Sequence, residues 1–301
     1  MAPSELVPCL WLGDQAEAAA SLYLEAFADA RVESVAHYPE EGANPANLPP
    51  GSVLTVDVRL AEQRLTLLNG GPGFRPNPSV SFHVHLGDAA DVDALHATLG
   101  EGGAELMPLG EYPWSARYAW IEDRFGVSWQ IMARPEAREP AIVPCLMYAG
   151  EHHGGAREAI DAYVGAIPNS RVLEVETFAE GEGGEAGTVK QGRFELAGHT
   201  MVAMDGGTGH AFGFDEGASL QVLCSAQAEV DRVWSALAVG GEEGPCGWVR
   251  DRFGLWWQVV PEAMATWMSS DDAAARDRVF RAMLSMGKLD VDALERAYRG
   301  A

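Results

Sequence analysis

The chain has 301 residues, 44 acidic and 21 basic, and a formal net charge of −23, so it has the length of two ordinary domains and a field that repels nucleic-acid backbones and anionic membranes. The early apolar run Leu6 to Leu12 is short, broken by Pro8 and lacks a basic leader, which argues against a signal peptide or membrane span and for a cytoplasmic protein. Four cysteines are too few for a disulfide framework, and Cys9 and Cys145 read as reduced, strand-borne small residues.

In chain order, the pattern predicts a strand at Val7 to Leu12 and an alanine-rich helix at Ala16 to Phe27. Three extended stretches follow, Arg31 to Tyr38, Ser52 to Leu60 and Arg64 to Leu68, closed by the Asn69-Gly70-Gly71 turn. The βαβββ order then repeats with Val80 to Leu86, a helix from Ala90 to Leu99, and strands near Ala104 to Leu109, Arg117 to Glu122 and Val127 to Met132. The second half starts with Val143 to Tyr148 and a helix from Ala156 to Val164. It continues with Ser219 to Cys224, a helix from Gln227 to Leu237 and a closing hairpin from Gly247 to Val260. Beyond Pro261 the pattern turns helical. Ser270 or Asp271 can cap a segment with Val279, Phe280, Met283 and Leu284 on one face, Gly287 stops it, and Asp290 can cap a last helix carrying Val291, Leu294 and Tyr298.

The halves repeat each other. Asp123-Arg124-Phe125-Gly126-Val127-Ser128-Trp129-Gln130 returns as Asp251-Arg252-Phe253-Gly254-Leu255-Trp256-Trp257-Gln258, and Val7-Pro8-Cys9-Leu10 as Val143-Pro144-Cys145-Leu146. Asn69-Gly70-Gly71 returns as Asp205-Gly206-Gly207, and Val92-Asp93 as Val230-Asp231. The offset drifts only where loops differ in length. The division expected is a first unit at 1–134, a proline-flanked linker at 135–140, a second unit at 141–262 and a helical extension at 263–301.

Two βαβββ modules per unit, with Leu68-Asn69-Gly70-Gly71-Pro72 ending the first and an Asp-x-Phe-Gly-x-x-Trp-Gln strand closing the second, resemble the vicinal oxygen chelate superfamily of glyoxalase I, extradiol dioxygenases and bleomycin resistance proteins. The string from Cys246-Gly247-Trp248 to Gln258, and the tail Arg278 to Asp290, resemble its PhnB-like branch, often labelled 3-demethylubiquinone-9 3-methyltransferase. The resemblance implies an α+β fold of tandem glyoxalase-like units, each a half-open eight-stranded barrel of two modules whose concave face holds a small molecule. The alternation of Ser79, Ser81, His83 and His85 with Val80, Phe82, Val84 and Leu86 independently gives that strand one polar face. The lining candidates are Cys9, Trp11, Ser79, Ser81, His83, His85, Gln130, Cys145, Ser219, Gln221 and Gln258.

Superfamily enzymes hold a divalent metal through residues that the resemblance places near Val7, Ser79 and Gln130 in the first unit, and near Val143, Gly217 and Gln258 in the second. Valine and glycine donate no electron pair and a lone glutamine is a weak ligand, so no metal and no cofactor are expected. A shifted set of Cys9, His83, His85 and Gln130 finds only Cys145, Gln221, Leu223 and Gln258 as second-half equivalents. The His152-His153 pair reads as a solvated loop. Asp205-Gly206-Gly207-Thr208-Gly209 echoes a methyl-donor loop, but a strand rather than a helix follows it. In the Asp-Arg-Phe-Gly strings, Asp caps amides, Gly takes a positive φ and the following Trp faces the helices.

The expectation is a monomer with an internal pseudo-dimer whose two metal-free cavities bind a small, partly apolar molecule, without nucleic-acid or membrane partners. The alternative is a superfamily enzyme of lyase, isomerase or dioxygenase type, with Cys9, His83 and Gln130 as its working groups.

Overall fold

A computed structural model describes residues 5–40, 44–136 and 141–301. Four βαβββ modules follow one another. The first holds β1 (Glu5–Trp11), α1 (Ala16–Ala26), β2 (Arg31–His37), β3 (Val53–Leu60) and β4 (Gln63–Leu68). The second holds β5 (Val80–Leu86), α2 (Ala89–Gly100), β6 (Ala104–Tyr112), β7 (Ser115–Glu122) and β8 (Ser128–Ala133). The third holds β9 (Ala141–Ala149), α3 (Ala156–Ala166), β10 (Arg171–Thr177), β11 (Val189–Leu196) and β12 (His199–Gly207). The fourth holds β13 (Ala218–Cys224), α4 (Gln227–Leu237), β14 (Glu242–Glu243), β15 (Trp248–Arg250) and β16 (Trp256–Pro261). Most of the expected linker lies outside the described residues.

Within each module the first and last strands pair in parallel, the helix making the crossover, and the middle strands extend the sheet outward. Modules then join through their first strands, antiparallel, into two open eight-stranded sheets. One sheet runs β14-β15-β16-β13-β1-β4-β3-β2 and the other β10-β11-β12-β9-β5-β8-β7-β6. The fold class is therefore tandem and glyoxalase-like, but the sheets do not coincide with the sequence halves. The outer-module sheet joins modules one and four, and the inner-module sheet joins two and three. The expectation that each half builds its own barrel is corrected here. The free edge of a module's first strand pairs with whichever equivalent edge the chain path brings alongside, and β1 meets β13 from Glu5↔Leu223 to Leu10↔Ala218.

The helices pack on the convex faces and share one core with them. Trp129 and Trp257, fully buried, face the helices as the alternation requires. Trp129 meets Tyr23 of α1 and Phe27 just beyond it, and Trp257 meets Tyr163 of α3. In each repeat one carboxylate fastens helix to hairpin. Asp123 accepts from the backbone N–H of Phe125 (2.8 Å) and Val127 (3.1 Å), the Tyr23 hydroxyl (2.9 Å) and the Trp129 indole (3.0 Å). Asp251 accepts from Phe253, Leu255, Tyr163 and Trp257 in the same way. Gly126 and Gly254, at φ +87° and +88°, make the turn.

The C-terminal extension forms α5 (Ala263–Met268), which the sequence pattern did not reveal, then α6 (Ala273–Leu284) and α7 (Val291–Arg299). Asp272, not Ser270 or Asp271, caps α6 by accepting from Ala275 N–H, and Asp290 caps α7 as expected. Their apolar faces form a separate core with Tyr38 and Ala46 of the first module. Backbone bonds from Cys246 to Met286 and from Gly247 to Gly287 tie them to the fourth module.

Candidate functional site

The concave faces of the two sheets share a polar plan and differ in what lies over it. On the outer-module sheet, β1 sets Cys9 opposite Thr66 of β4 and Ser219 of β13, and Gln221 lies opposite Gln258 of β16. Gln258 donates to Ser219 Oγ (2.9 Å) and Gln221 donates to Gln258 Oε1 (3.2 Å). On the inner-module sheet Gln130 donates to Ser81 Oγ (3.0 Å), and Cys145 lies opposite Ser81. Cys9 and Cys145 thus sit beside the same serine–glutamine pair.

Over the outer-module sheet there is a half-open cavity of about 710 Å³. Its floor carries Cys9, Thr66, Gln221 and Gln258. α5 and α6 cover it with Met264, Met268, Phe280 and Met283, and Trp11, Phe74, Trp248 and Trp256 add a run of aromatic rings. Trp11 meets Phe74 at 5.2 Å and Trp248 at 6.3 Å, and Trp248 meets Trp256 at 6.2 Å, all edge to face. The Asn69-Gly70-Gly71 turn shapes this wall: a Cβ on Gly70 would lie 2.3 Å from the Trp11 ring, and the Trp11 indole donates to Gly71 O (2.6 Å).

One ionised cluster reaches the floor. Asp57 accepts from Ser34 Oγ (2.7 Å), Thr66 Oγ1 (2.7 Å) and Arg64 (2.8 Å), and Arg64 also pairs with Glu5 (3.2 Å) and Glu33 (3.7 Å). Burial pushes the Cys9 thiol up to about 12, against the opposing effect of Gln258, so it stays protonated and weakly nucleophilic at neutral pH.

The inner-module concave face is filled by its own side chains. Ser81 and Cys145 are fully buried, and His83 and Gln130 are 4% and 6% exposed. Tyr118 donates to Gln130 Oε1 (2.9 Å) and stacks edge-on with Tyr112 and Trp114 of the β6–β7 hairpin. Val143, Cys145, Val202 and Met204 pack into a small apolar cluster. His83 Nε2 has no partner among the described residues. Burial, reinforced by His85 and Arg134, lowers the His83 pKa to about 3; burial and the charges of Arg134 and Arg193 lower that of His85 to about 4.

A difference in hairpin length separates the two faces. β6 and β7 run further than the pattern predicted, bulged around Met107 and Gly110, and bring Tyr118 over Gln130. In the fourth module β14 and β15 are short, the place of Tyr118 falls to Cys246, which lines the cavity, and the C-terminal helices cover the space. The signal lay in the sequence: Asp231 to Asp251 is shorter than its counterpart, Asp93 to Asp123.

Of the sequence candidates, Cys9, Trp11, Gln221 and Gln258 line the cavity, with Ser219 buried behind Gln258. Ser81, His83, Gln130 and Cys145 cluster on the other sheet, His85 is partly exposed beside them, and Ser79 is buried at the start of that face. Cys9 therefore does not converge with His83 and Gln130. The residues that sequence reasoning missed are Asp57, Thr66, Trp248 and the covering methionines.

The donor set does not fit a divalent cation. The glutamine amides bond each other and serine, Asp57 is met by three donors, and among the described residues no group of three or more His, Cys, Asp or Glu is placed to hold a metal. Gly217 is filled by backbone rather than ligand, since a Cβ there would lie 2.0 Å from Arg75 O.

The loops flagged earlier have structural work. Asp205 accepts from the backbone N–H of Gly154 (2.8 Å), Ala156 (3.2 Å) and Val189 (2.7 Å), as Asn69 accepts from Ala16 (2.8 Å). His153 is not freely solvated: its Nδ1 accepts from Gly207 N–H (3.1 Å), and its Nε2 lies 3.3 Å from Glu185.

The family model described as 3-demethylubiquinone-9 3-methyltransferase matches residues 4–132 and again 140–260. The chain belongs to this family. Among solved structures it is similar to a Bacillus cereus PhnB protein of the same description, with 29% identity over 42% of this chain and 98% of that one and a TM-score of 0.39. It also resembles glyoxalase I from Zea mays, with 12% identity over 86% of this chain and 94% of that one. The TM-score is 0.53 for that enzyme and 0.57 for a point variant, which shows a shared tandem vicinal-oxygen-chelate fold. Comparison with curated proteins finds no match. Within this 3-demethylubiquinone-9 3-methyltransferase family the chain carries the PhnB-like unit twice, and among the described residues no helix is long and apolar enough to cross a membrane.

Proposed function

We propose that this protein binds one small, predominantly apolar molecule per chain, in the cavity between the outer-module sheet and the C-terminal helices. The observation that carries the reading is that half-open cavity of about 710 Å³, walled by aromatic rings and methionines above a narrow polar floor. The filled inner-module face supports one site rather than two. The enzyme alternative draws no support from the geometry, because Cys9 lies on one sheet and His83 and Gln130 lie on the other. Methyl transfer draws none either, since Asp205 is spent on capping backbone amides. Equilibrium dialysis against ethylnaphthalene, an uncharged apolar probe, tests the reading. Saturation at one molecule per chain is expected; no binding, or two equivalent sites, contradicts it.

A further inference from the structure

The chemistry facing the cavity is one-sided. Of the charged side chains lining it, Asp57, Glu216 and Glu262 are acidic and only Arg64 is basic, and Arg64 is already paired with Asp57, Glu5 and Glu33. An anion entering this space loses its hydration and meets an excess of carboxylate. On the floor and the aromatic wall, uncommitted donors face the space. Gln221 spends one amide N–H on Gln258, leaving its second for the cavity, and the indole N–H groups of Trp248 and Trp256 have no partner among the described residues. Asp57, the one carboxylate on the floor, is already met by three donors, and Glu216 and Glu262 are partly exposed to water, so an ammonium group gains little by leaving solvent for this space.

The geometry points to a ligand class: an uncharged, flat apolar molecule carrying a carbonyl-type hydrogen-bond acceptor, its body between the aromatic wall and the methionines and its oxygen on Gln221. This selectivity rests on the binding function proposed above, and the three parts of the argument are the acceptor, the missing charge and the apolar body.

Calorimetric titration of the full chain with probes of nearly equal shape separates them. Ethylnaphthalene offers the apolar body, acetylnaphthalene adds a neutral acceptor, naphthoate makes that end anionic, and naphthylmethylammonium makes it cationic. Acetylnaphthalene is expected to bind roughly ten-fold more tightly than ethylnaphthalene and at least ten-fold more tightly than either ion. Gln221→Leu should erase the advantage of the ketone while leaving ethylnaphthalene within about three-fold of its original affinity. The four-probe comparison on the unsubstituted chain is decisive even if that variant folds poorly. Ketone and hydrocarbon binding equally, or either ion matching or outbinding the ketone, overturns the assignment of ligand class while leaving cavity binding intact. Failure of all four probes overturns cavity binding itself, and the ligand class with it.

Discussion

Asp123 shows how much chemistry a single position in a short motif can hold. As a turn residue it was legible: aspartate before Arg-Phe-Gly caps amides and the glycine takes a left-handed conformation. The same carboxylate also receives Tyr23 and Trp129, which local pattern cannot reveal, because Tyr23 lies in a helix of the preceding module. Asp123→Ala leaves four buried donors without an acceptor and should cost about 3–5 kcal/mol in urea unfolding. Asp251→Ala should cost a similar amount, because its donor set is the same. His83 makes the complementary case. Its folded-state pKa, lowered to about 3, lies below the unfolded value of 6.5, so the unfolded chain binds its proton first and stability is lost as pH falls from 6.5 toward 3. The slope from this residue is about 1.4 kcal/mol per pH unit. Urea midpoints measured from pH 7 to 4 should fall less steeply for His83→Asn than for the unsubstituted protein; equal slopes would contradict the buried neutral imidazole.

At the scale of elements, the βαβββ order was readable because strand alternation, alanine-rich helices and glycine turns recur in step. The mutual pairing of the modules was not. β1 and β5 have similar alternating patterns, and nothing local tells either which equivalent edge it will meet. Nor did the pattern give α5, which is short and directly follows β16 at Pro261. Paired glycines carry a further repeat signal. Gly103 and Gly241 open the hairpins of modules two and four, where a Cβ would lie 2.1 Å from Glu122 O and 2.0 Å from Arg250 O. Gly103→Ala and Gly241→Ala should each destabilise by roughly 2–3 kcal/mol, since backbone must move in both. The cavity cover depends on Phe280, which is buried against Tyr38 at 5.9 Å. Phe280→Ala should lower stability by about 3 kcal/mol and weaken ethylnaphthalene binding, read by thermal melts and dialysis.

For the whole molecule, the consequence of joining modules one to four and two to three is that neither half is complete alone. Residues 1–136 expressed separately leave the free edges of β1 and β5 unpaired, and separate halves should recombine as a one-to-one complex in light scattering. Two stable monomeric halves would contradict the crossed pairing. The intact chain should itself be a monomer of 32.2 kDa, because both first-strand junctions are satisfied within it. The repeat sets down the same serine–glutamine–cysteine pattern on both sheets, and one hairpin's length then closes one face and leaves a cavity over the other.

Methionine-methyl NMR tests that asymmetry most directly, because the two faces carry different methionines. On titration with ethylnaphthalene, the resonances of Met264, Met268 and Met283 should shift together and saturate, while those of Met132 and Met204 stay in place. Shifts at Met132 and Met204, or no shift at the three covering residues, would contradict a single ligand cavity on the outer-module sheet.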